Sequence, residues 1–265
     1  MAEHRKPSPT KVDQLSGQER HYRVRCRAVF LDGGGVIVLP HGDLVRAALS
    51  GVGITIDASL VPRAHYWAVR QIDRVLADSA PIVYLRTFCR ALGVPPRRIE
   101  DAIRALSHLA DRSRSGEILW SQATPQAVET IKALRSAGIA VVVVTNSDGH
   151  AAENLRDAGV CQTTPGPGAT VTDIVDSGRV GSEKPDTGIF TIALERAGVE
   201  PEAVVHVGDM VSTDVIGATA AGIIPVHLDP ARRCRDRDHR HIRALGSIWR
   251  HVVPWDRCPR GPAAR

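Results

Sequence analysis

Short apolar runs, each ending in a polar or glycine-rich turn, punctuate this chain. CRAVFLDGGG leads to Asp32, GIAVVVVTNSDG to Thr145, TVTDIVDSG to Asp176 and EAVVHVGD to Asp209, and GIIPVHLDP closes the series. The runs are β-branched and apolar at successive positions rather than alternate ones. That is the pattern of strands buried on both faces of a parallel sheet. Helical patterns lie between them. TPQAVETIKALRSAG predicts a helix capped by Thr124, with Pro125 at its first position and Gly138 beyond its end. TGIFTIALERAG repeats the design, with Thr187 as cap and Gly198 as stop, and STDVIGATAAG predicts a short helix ending at Gly222. Strand and helix in alternation predict a doubly wound, Rossmann-like α/β core with a parallel sheet.

From about 42 to 120 the alternation stops. HGDLVRAALSGVG, DASLVPRAHYWAVRQIDRVLADS, PIVYLRTFCRALG and PPRRIEDAIRALSHLADR all read as helices, with no strand between them. They predict a small all-helical domain inserted after the first strand. The expected organisation is a flexible N-terminal extension over 1–24, a core built from 25–41 and 121–230, a helical cap over 42–120, and an Arg-rich C-terminal helix and tail over 231–265.

Composition narrows the function classes. Hydrophobic residues make up 43% of 265, enough for a real core. No apolar run approaches the roughly 20 residues that span a bilayer. The polar start, MAEHRKPSPTKVDQLSGQER, lacks the apolar centre of a secretory signal. The five cysteines are scattered without CxxC spacing. A cytoplasmic chain with free thiols is the simplest reading. The net charge is +5, but residues 231–265 carry +7 and residues 1–27 carry +4, which leaves −6 on the body. No nucleic-acid motif accompanies the basic ends, so they read as solvated tails rather than a nucleic-acid surface. His21, His41, His65, His206 and the C-terminal histidines show no zinc spacing and read as structural or exposed.

Ligands in open α/β sheets bind beyond the C-terminal strand ends. Three strands deliver Asp32, Thr145 and Asp209 there. Lys184 comes from the loop GRVGSEKPDTGIF, and Asp214 follows Asp209 by five residues. Carboxylates, a hydroxyl and a lysine at one rim suit a divalent cation beside a phosphate. Each residue also has a plainer use: Asp32 could bind a turn, Thr145 could cap a helix, and Asp209 and Asp214 could cap the helix at 213–222. Lys184 is more telling, because the chain has 4 lysines against 30 arginines. A lysine amid such an arginine preference suggests that a compact point charge is wanted.

The four segments, in order, resemble the four motifs of the haloacid dehalogenase-like hydrolase superfamily. AVFLDGGGVI resembles the first motif, VVVVTNSDG the second, GSEKPDTGIF the third and VVHVGDMVSTDVIGATAAGI the fourth, together spanning 28–223. The helical insertion is similar to that family's α-helical cap. The resemblance implies Asp32 as a nucleophile that forms an aspartyl-phosphate, and Thr145 and Lys184 as its catalytic partners. It implies Gly33, Asn146 and Lys184 as substrate-binding groups. It implies Mg²⁺ held by Asp32, the Gly34 carbonyl, Asp209 and Asp214, with a small phosphorylated metabolite as substrate. The family's phosphatases usually carry a second Asp two residues after the nucleophile, and here that position is Gly34. A metal and phosphate site without its usual acid–base group is therefore expected, with Asp43, His41, His65 or Tyr66 as stand-ins. Two alternatives stay open: a metal-independent dehalogenase-type hydrolase, and a non-catalytic or regulatory binder of a phosphorylated ligand. Substrate identity and oligomeric state are not legible.

Overall fold

The computed structural model describes residues 23–74, 80–112 and 118–255. In chain order the elements are β1 (Val24–Cys26), β2 (Ala28–Leu31), β3 (Val38–Pro40), α1 (Gly42–Gly51), α2 (Val61–Ile72), α3 (Ala80–Ala91) and α4 (Ile99–Arg112). There follow β4 (Trp120–Ala123), α5 (Ala127–Ser136), β5 (Ala140–Thr145), α6 (Ala151–Asp157), β6 (Cys161–Gln162), β7 (Ala169–Thr170), β8 (Asp173–Asp176), α7 (Ser177–Val180) and α8 (Thr187–Ala197). The last are β9 (Val204–Gly208), α9 (Ile216–Ala220), β10 (Ile224–Leu228), β11 (Arg240–Ile242) and β12 (Val252–Pro254).

The core is a six-stranded parallel sheet in the order β11-β10-β9-β2-β5-β8. The expected α/β class is the observed one. Its continuous apolar runs follow from burial on both faces. Val29, Leu31, Val141, Val143, Val205 and Val207 pack on one side with Ile131 and Leu134 of α5. Phe30, Val142 and Val144 pack on the other with Ile189 and Phe190 of α8. The chain leaves β2 towards β5 and β8, then returns to lay β9, β10 and β11 on the opposite side. The order reverses between β2 and β9, and in such sheets a crevice opens at the carboxyl ends of the strands flanking that point.

The stretch from 42 to 112 holds α1 to α4 around its own apolar cluster, with Val45, Leu49, Ala64, Ala68, Phe88, Ile99 and Leu106 inside. β3 and β4 pair antiparallel at its two connections to the core. A helix C-terminus meets the fourth-motif loop directly, where Asp73 after α2 accepts hydrogen bonds from Ser212 N at 2.9 Å and Ser212 Oγ at 3.0 Å.

Several local expectations are corrected. Thr124 does not cap α5. Its hydroxyl donates to Val36 O at 2.7 Å, and Gln126, at φ 65°, precedes the helix. Asp186 rather than Thr187 caps α8, accepting from Gly188 N at 3.0 Å, while Gly198 ends it in the left-handed region at φ 63°. No C-terminal α-helix forms over 231–255. β11 joins the main sheet, a 3-10 turn spans Leu245–Arg250, and β12 pairs with β1. This stretch is thus sheet edge rather than tail. The extension expected over 1–24 lies outside the described residues up to 22, and Val24 already opens β1.

Candidate active site

Asp32 follows the last residue of β2, and its amide donates to Val207 O of β9 at 2.9 Å. Asp209 follows β9, so the two carboxylates flank the point where strand order reverses. Thr145 ends β5 beside them. Gly33 lets the backbone pass against Thr145, because a Cβ there would lie 2.7 Å from the hydroxyl oxygen. Gly35 is required twice over. Its φ is +76°, and a Cβ would sit 2.0 Å from Asp209 Oδ2 and 2.6 Å from His65 Nε2.

Lys184 is 4% exposed and joins the carboxylates. Its Nζ donates to Asp32 Oδ1 at 2.6 Å and to Asp214 Oδ1 at 2.7 Å. Asn146 fixes the loop that carries it: Oδ1 accepts from Lys184 N at 2.8 Å and Nδ2 donates to Lys184 O at 2.9 Å. Asp214 is the most fully partnered of the three acids. Besides Lys184, its carboxylate bonds His206 Nε2 at 2.9 Å and accepts from Met210 N at 3.1 Å. Asp32, Asp209 and Asp214 each offer an oxygen, all within 4.8 Å of one another.

The electrostatics follow from crowding. Burial pushes the Asp32 carboxyl up to about 7 against the pull of Lys184, with Asp214 and Asp209 adding to the rise. Burial likewise raises Asp209 despite its bond to His65. Burial opposes the charge of Asp214 too, but Lys184 and His206 outweigh it and hold its pKa well below the usual carboxylate range. Burial also opposes the charge on Lys184, but Asp214 and Asp32 outweigh it and raise its pKa. Three carboxylates against one ammonium leave an excess of negative charge in a buried pocket, which a hard divalent cation with oxygen ligands would neutralise.

The turn after Asp32 suits such a cation. Ile37 N and Val38 N both return to Gly33 O at 3.0 Å, Gly35 N goes to Val38 O, and the Tyr66 hydroxyl donates to Gly35 O at 2.7 Å. Among the described residues, no hydrogen bond takes up the Gly34 carbonyl. Where an Asp side chain would start from Gly34, Trp120 stands instead, its Cζ3 3.3 Å from the Cβ position.

The cap completes the site with residues whose roles were open in the sequence. His65 of α2 bonds Asp209 Oδ2 through Nε2 at 2.9 Å and Tyr84 OH through Nδ1 at 3.0 Å. A neutral ring with its proton on Nε2 satisfies both, since a carboxylate accepts and a phenol can donate. Of the four acid–base stand-ins, His65 and Tyr66 are brought to this rim. Asp43 instead pairs with Arg46 at 2.9 Å on the surface, and His41 occupies the N-cap position of α1. His206, fully buried in β9, was not read as functional; a lone histidine in the apolar run VVHVG was the available signal. Also unread was a second group, His227, Cys234, His239 and His241, whose ligand atoms lie within 4.8 Å of one another.

The model of the haloacid dehalogenase-like hydrolase family matches residues 26–222. The chain belongs to that family. Among curated relatives, this family member is 35% identical over 144 residues to mouse haloacid dehalogenase-like hydrolase domain-containing protein 3, covering 53% of this chain and 51% of that one. It is 34% identical over 113 residues to the phosphoserine phosphatase of Thermus thermophilus, covering 42% and 43%. The chain thus spans about half the length of the curated relatives it matches. Among solved structures it is similar in fold to the magnesium-bound HAD-hydrolase YfnB of Bacillus subtilis, with TM-score 0.56, 20% identity, and coverage of 85% of this chain and 97% of that one. No helix among the described residues is long and apolar enough to cross a membrane.

Proposed function

We propose that this haloacid dehalogenase-like hydrolase is a Mg²⁺-dependent phosphatase of a small phosphorylated metabolite, with Asp32 as nucleophile. One observation carries the reading. Lys184 is buried between Asp32 and Asp214 at 2.6 Å and 2.7 Å, with Asp209 alongside, so charge is arranged for a phosphoryl group and a cation together. The similarity to a phosphoserine phosphatase is in keeping with it.

Lys184 holds Asp32 Oδ1, which leaves Oδ2 to attack phosphorus. The P–O bond to the leaving group breaks as the Asp32 O–P bond forms, and the leaving oxygen takes up a proton. Water then attacks the aspartyl-phosphate, loses a proton, and returns Asp32 as carboxylate with inorganic phosphate. Thr145 Oγ1 and the Asn146 backbone N–H are the donors for phosphoryl oxygens. Asp214 acts through Lys184 as a positioning residue, since Lys184, His206 and Met210 already occupy its carboxylate. Mg²⁺ would be held by Asp32, Asp209 and the Gly34 carbonyl, with Asp214 next to them, and would supply charge neutralisation at the phosphoryl group. Gly34 contributes neither proton nor base, so opening of the aspartyl-phosphate is the slow step.

The test is turnover of p-nitrophenyl phosphate and of 2-chloropropionate, each with Mg²⁺ and with chelator. Mg²⁺-dependent release of nitrophenol that vanishes in Asp32→Asn supports the reading. Chelator-resistant release of chloride would replace it with dehalogenation. Phosphate-ester binding without either reaction would replace it with ligand binding.

A further inference from the structure

β10 and β11 are adjacent parallel strands, and their register sets His227 beside His241. Parallel neighbours usually need a crossover of a dozen or more residues, most often a helix. Here residues 229–239 make the connection with no regular structure. Some other device must hold so irregular a segment at a sheet edge, and the side chains it gathers suggest one. The order is His227, six residues, Cys234, four residues, His239, one residue, His241. His227 is 3% exposed, and the His239 side chain is 1% exposed. The three imidazoles pack with centroids 4.5 Å to 5.3 Å apart.

Hydrogen bonds on the outer edges fix which nitrogens face inward. His227 Nε2 lies 3.2 Å from Asp209 O, a carbonyl that can only accept, so Nε2 carries the proton. His239 Nδ1 lies 2.7 Å from the Asp238 carboxylate, so Nδ1 carries that proton. The remaining pair, His227 Nδ1 and His239 Nε2, then face each other 3.2 Å apart as two bare lone pairs when the rings are neutral. Cys234 Sγ lies 3.6 Å from the same His239 nitrogen. His241 Nε2 is buried with no hydrogen-bond partner among the described residues. Lone pairs that converge without protons between them are a cation site. An outer bond to a carbonyl or carboxylate is also the usual partner of a metal-bound histidine.

We propose that His227, Cys234, His239 and His241 form a four-coordinate structural zinc site. It pins the crossover between β10 and β11 and, through His227, steadies the Asp209 backbone at the active site. Spacing agrees with the metal's bond lengths. With Zn–N near 2.05 Å and Zn–S near 2.3 Å in a tetrahedron, ligand atoms fall roughly 3.3 Å apart for N and N and about 3.6 Å for S and N. The structure has 3.2 Å and 3.6 Å. One thiolate with three imidazoles is a borderline-soft set that selects zinc over Mg²⁺ or Ca²⁺. The acidic cluster, with oxygen donors only, has the opposite preference. A cleft of about 570 Å³ lined by Cys234, His241 and Asp229 provides an entry path. Zinc binding would displace the Cys234 proton, which now faces Asp236 Oδ2 at 3.3 Å.

The full chain, purified with zinc in the medium and desalted, should carry about one zinc per chain by elemental analysis. Cys234→Ser should lose most of it. Asp209→Asn should keep it, since the link to His227 runs through the backbone carbonyl. Cobalt-loaded wild type should show a thiolate-to-cobalt charge-transfer band and the intense ligand-field bands of a tetrahedral site. Chelation should lower the melting temperature. Zinc retained in full by Cys234→Ser, or no uptake by wild type, overturns the proposal. If Cys234→Ser does not fold, the cobalt spectrum decides: a wild-type spectrum without the thiolate band is equally fatal.

Discussion

Gly34→Asp should raise the rate of phosphate-ester turnover, at a cost set by Trp120. A Cβ on Gly34 would lie 3.3 Å, 3.5 Å and 3.8 Å from three atoms of the indole. Carbon–carbon contacts are optimal at about 3.5–4.0 Å, so the ring must yield by a few tenths of an ångström. The three further heavy atoms of the carboxylate need space that the ring now fills. Backbone strain adds nothing, since Gly34 is not among the glycines with positive φ, whereas Gly35 is. Overpacking of this kind costs about 1–3 kcal/mol, or roughly 2–12 °C in Tm for a protein of this size. Trp120→Phe on the same background should recover part of that loss by shrinking the ring. The gain lies in proton transfer to the leaving oxygen and water activation at the aspartyl-phosphate, together about 10²–10⁴ in rate. Quench-flow with p-nitrophenyl phosphate should show wild type releasing one burst of nitrophenol before slow turnover. The variant should show a steady rate without that contrast. An alkyl phosphate, whose leaving oxygen must be protonated, should gain in the first step as well. A folded Gly34→Asp protein no faster on either substrate refutes the missing-carboxylate account and favours a substitute group such as His65 or Tyr66, or a non-hydrolytic role.

Three further outcomes follow from the same charges. Asp32 and Asp209 titrate above their unfolded values, so each binds more protons folded than unfolded and loses its contribution to stability as pH rises; for Asp32 the loss runs from about 4 to about 7. Mg²⁺ reverses that loss, so the Tm increase in Mg²⁺ should be larger at pH 7.5 than at pH 5, and the stabilisation about 2.7 kcal/mol at a hundred times Kd; an equal Tm increase at both pH values contradicts it. Taking the difference with and without Mg²⁺ also removes the opposing effect of His206, whose pKa burial lowers. Lys184→Met leaves Asp32 and Asp214 buried without their shared cation and should cost about 3–5 kcal/mol at neutral pH. The loss in urea unfolding should shrink at pH 5, where Asp214, no longer held down by Lys184, can protonate, and a pH-independent loss would dissociate Lys184 from the acids. Asp73→Ala removes both bonds from α2 to Ser212. It should raise KM more than it lowers kcat, and unchanged kinetics would mean the cap docks through His65 and Tyr66 alone.

The sheet was legible because five buried strands leave unbroken apolar runs, and the rim residues because the runs end on them. Helix ends were misread where one residue type serves two purposes. Thr124 spends its hydroxyl on Val36 O, and Asp186, one residue ahead of Thr187, is the better acceptor for the first amides of α8. β11 and β12 were hidden because three-residue strands within an arginine-rich segment carry no periodicity. Long-range pairing hid the rest. His65 reaches Asp209 across 144 residues of chain, and His227 meets His241 only through strand register. No local spacing encodes either. Trp120 lies 86 residues beyond Gly34, so nothing near the glycine shows what replaced the expected carboxylate.

The central claim is that Asp32 takes the phosphoryl group, and slow opening of that bond makes it trappable. Wild type mixed with Mg²⁺ and p-nitrophenyl phosphate, quenched in acid and digested, should give one phosphoryl mass on the peptide between Arg27 and Arg46, at Asp32. The label should be absent with chelator and in Asp32→Asn. Turnover of phosphate esters with no label on Asp32, or turnover that survives Asp32→Asn, would contradict the account.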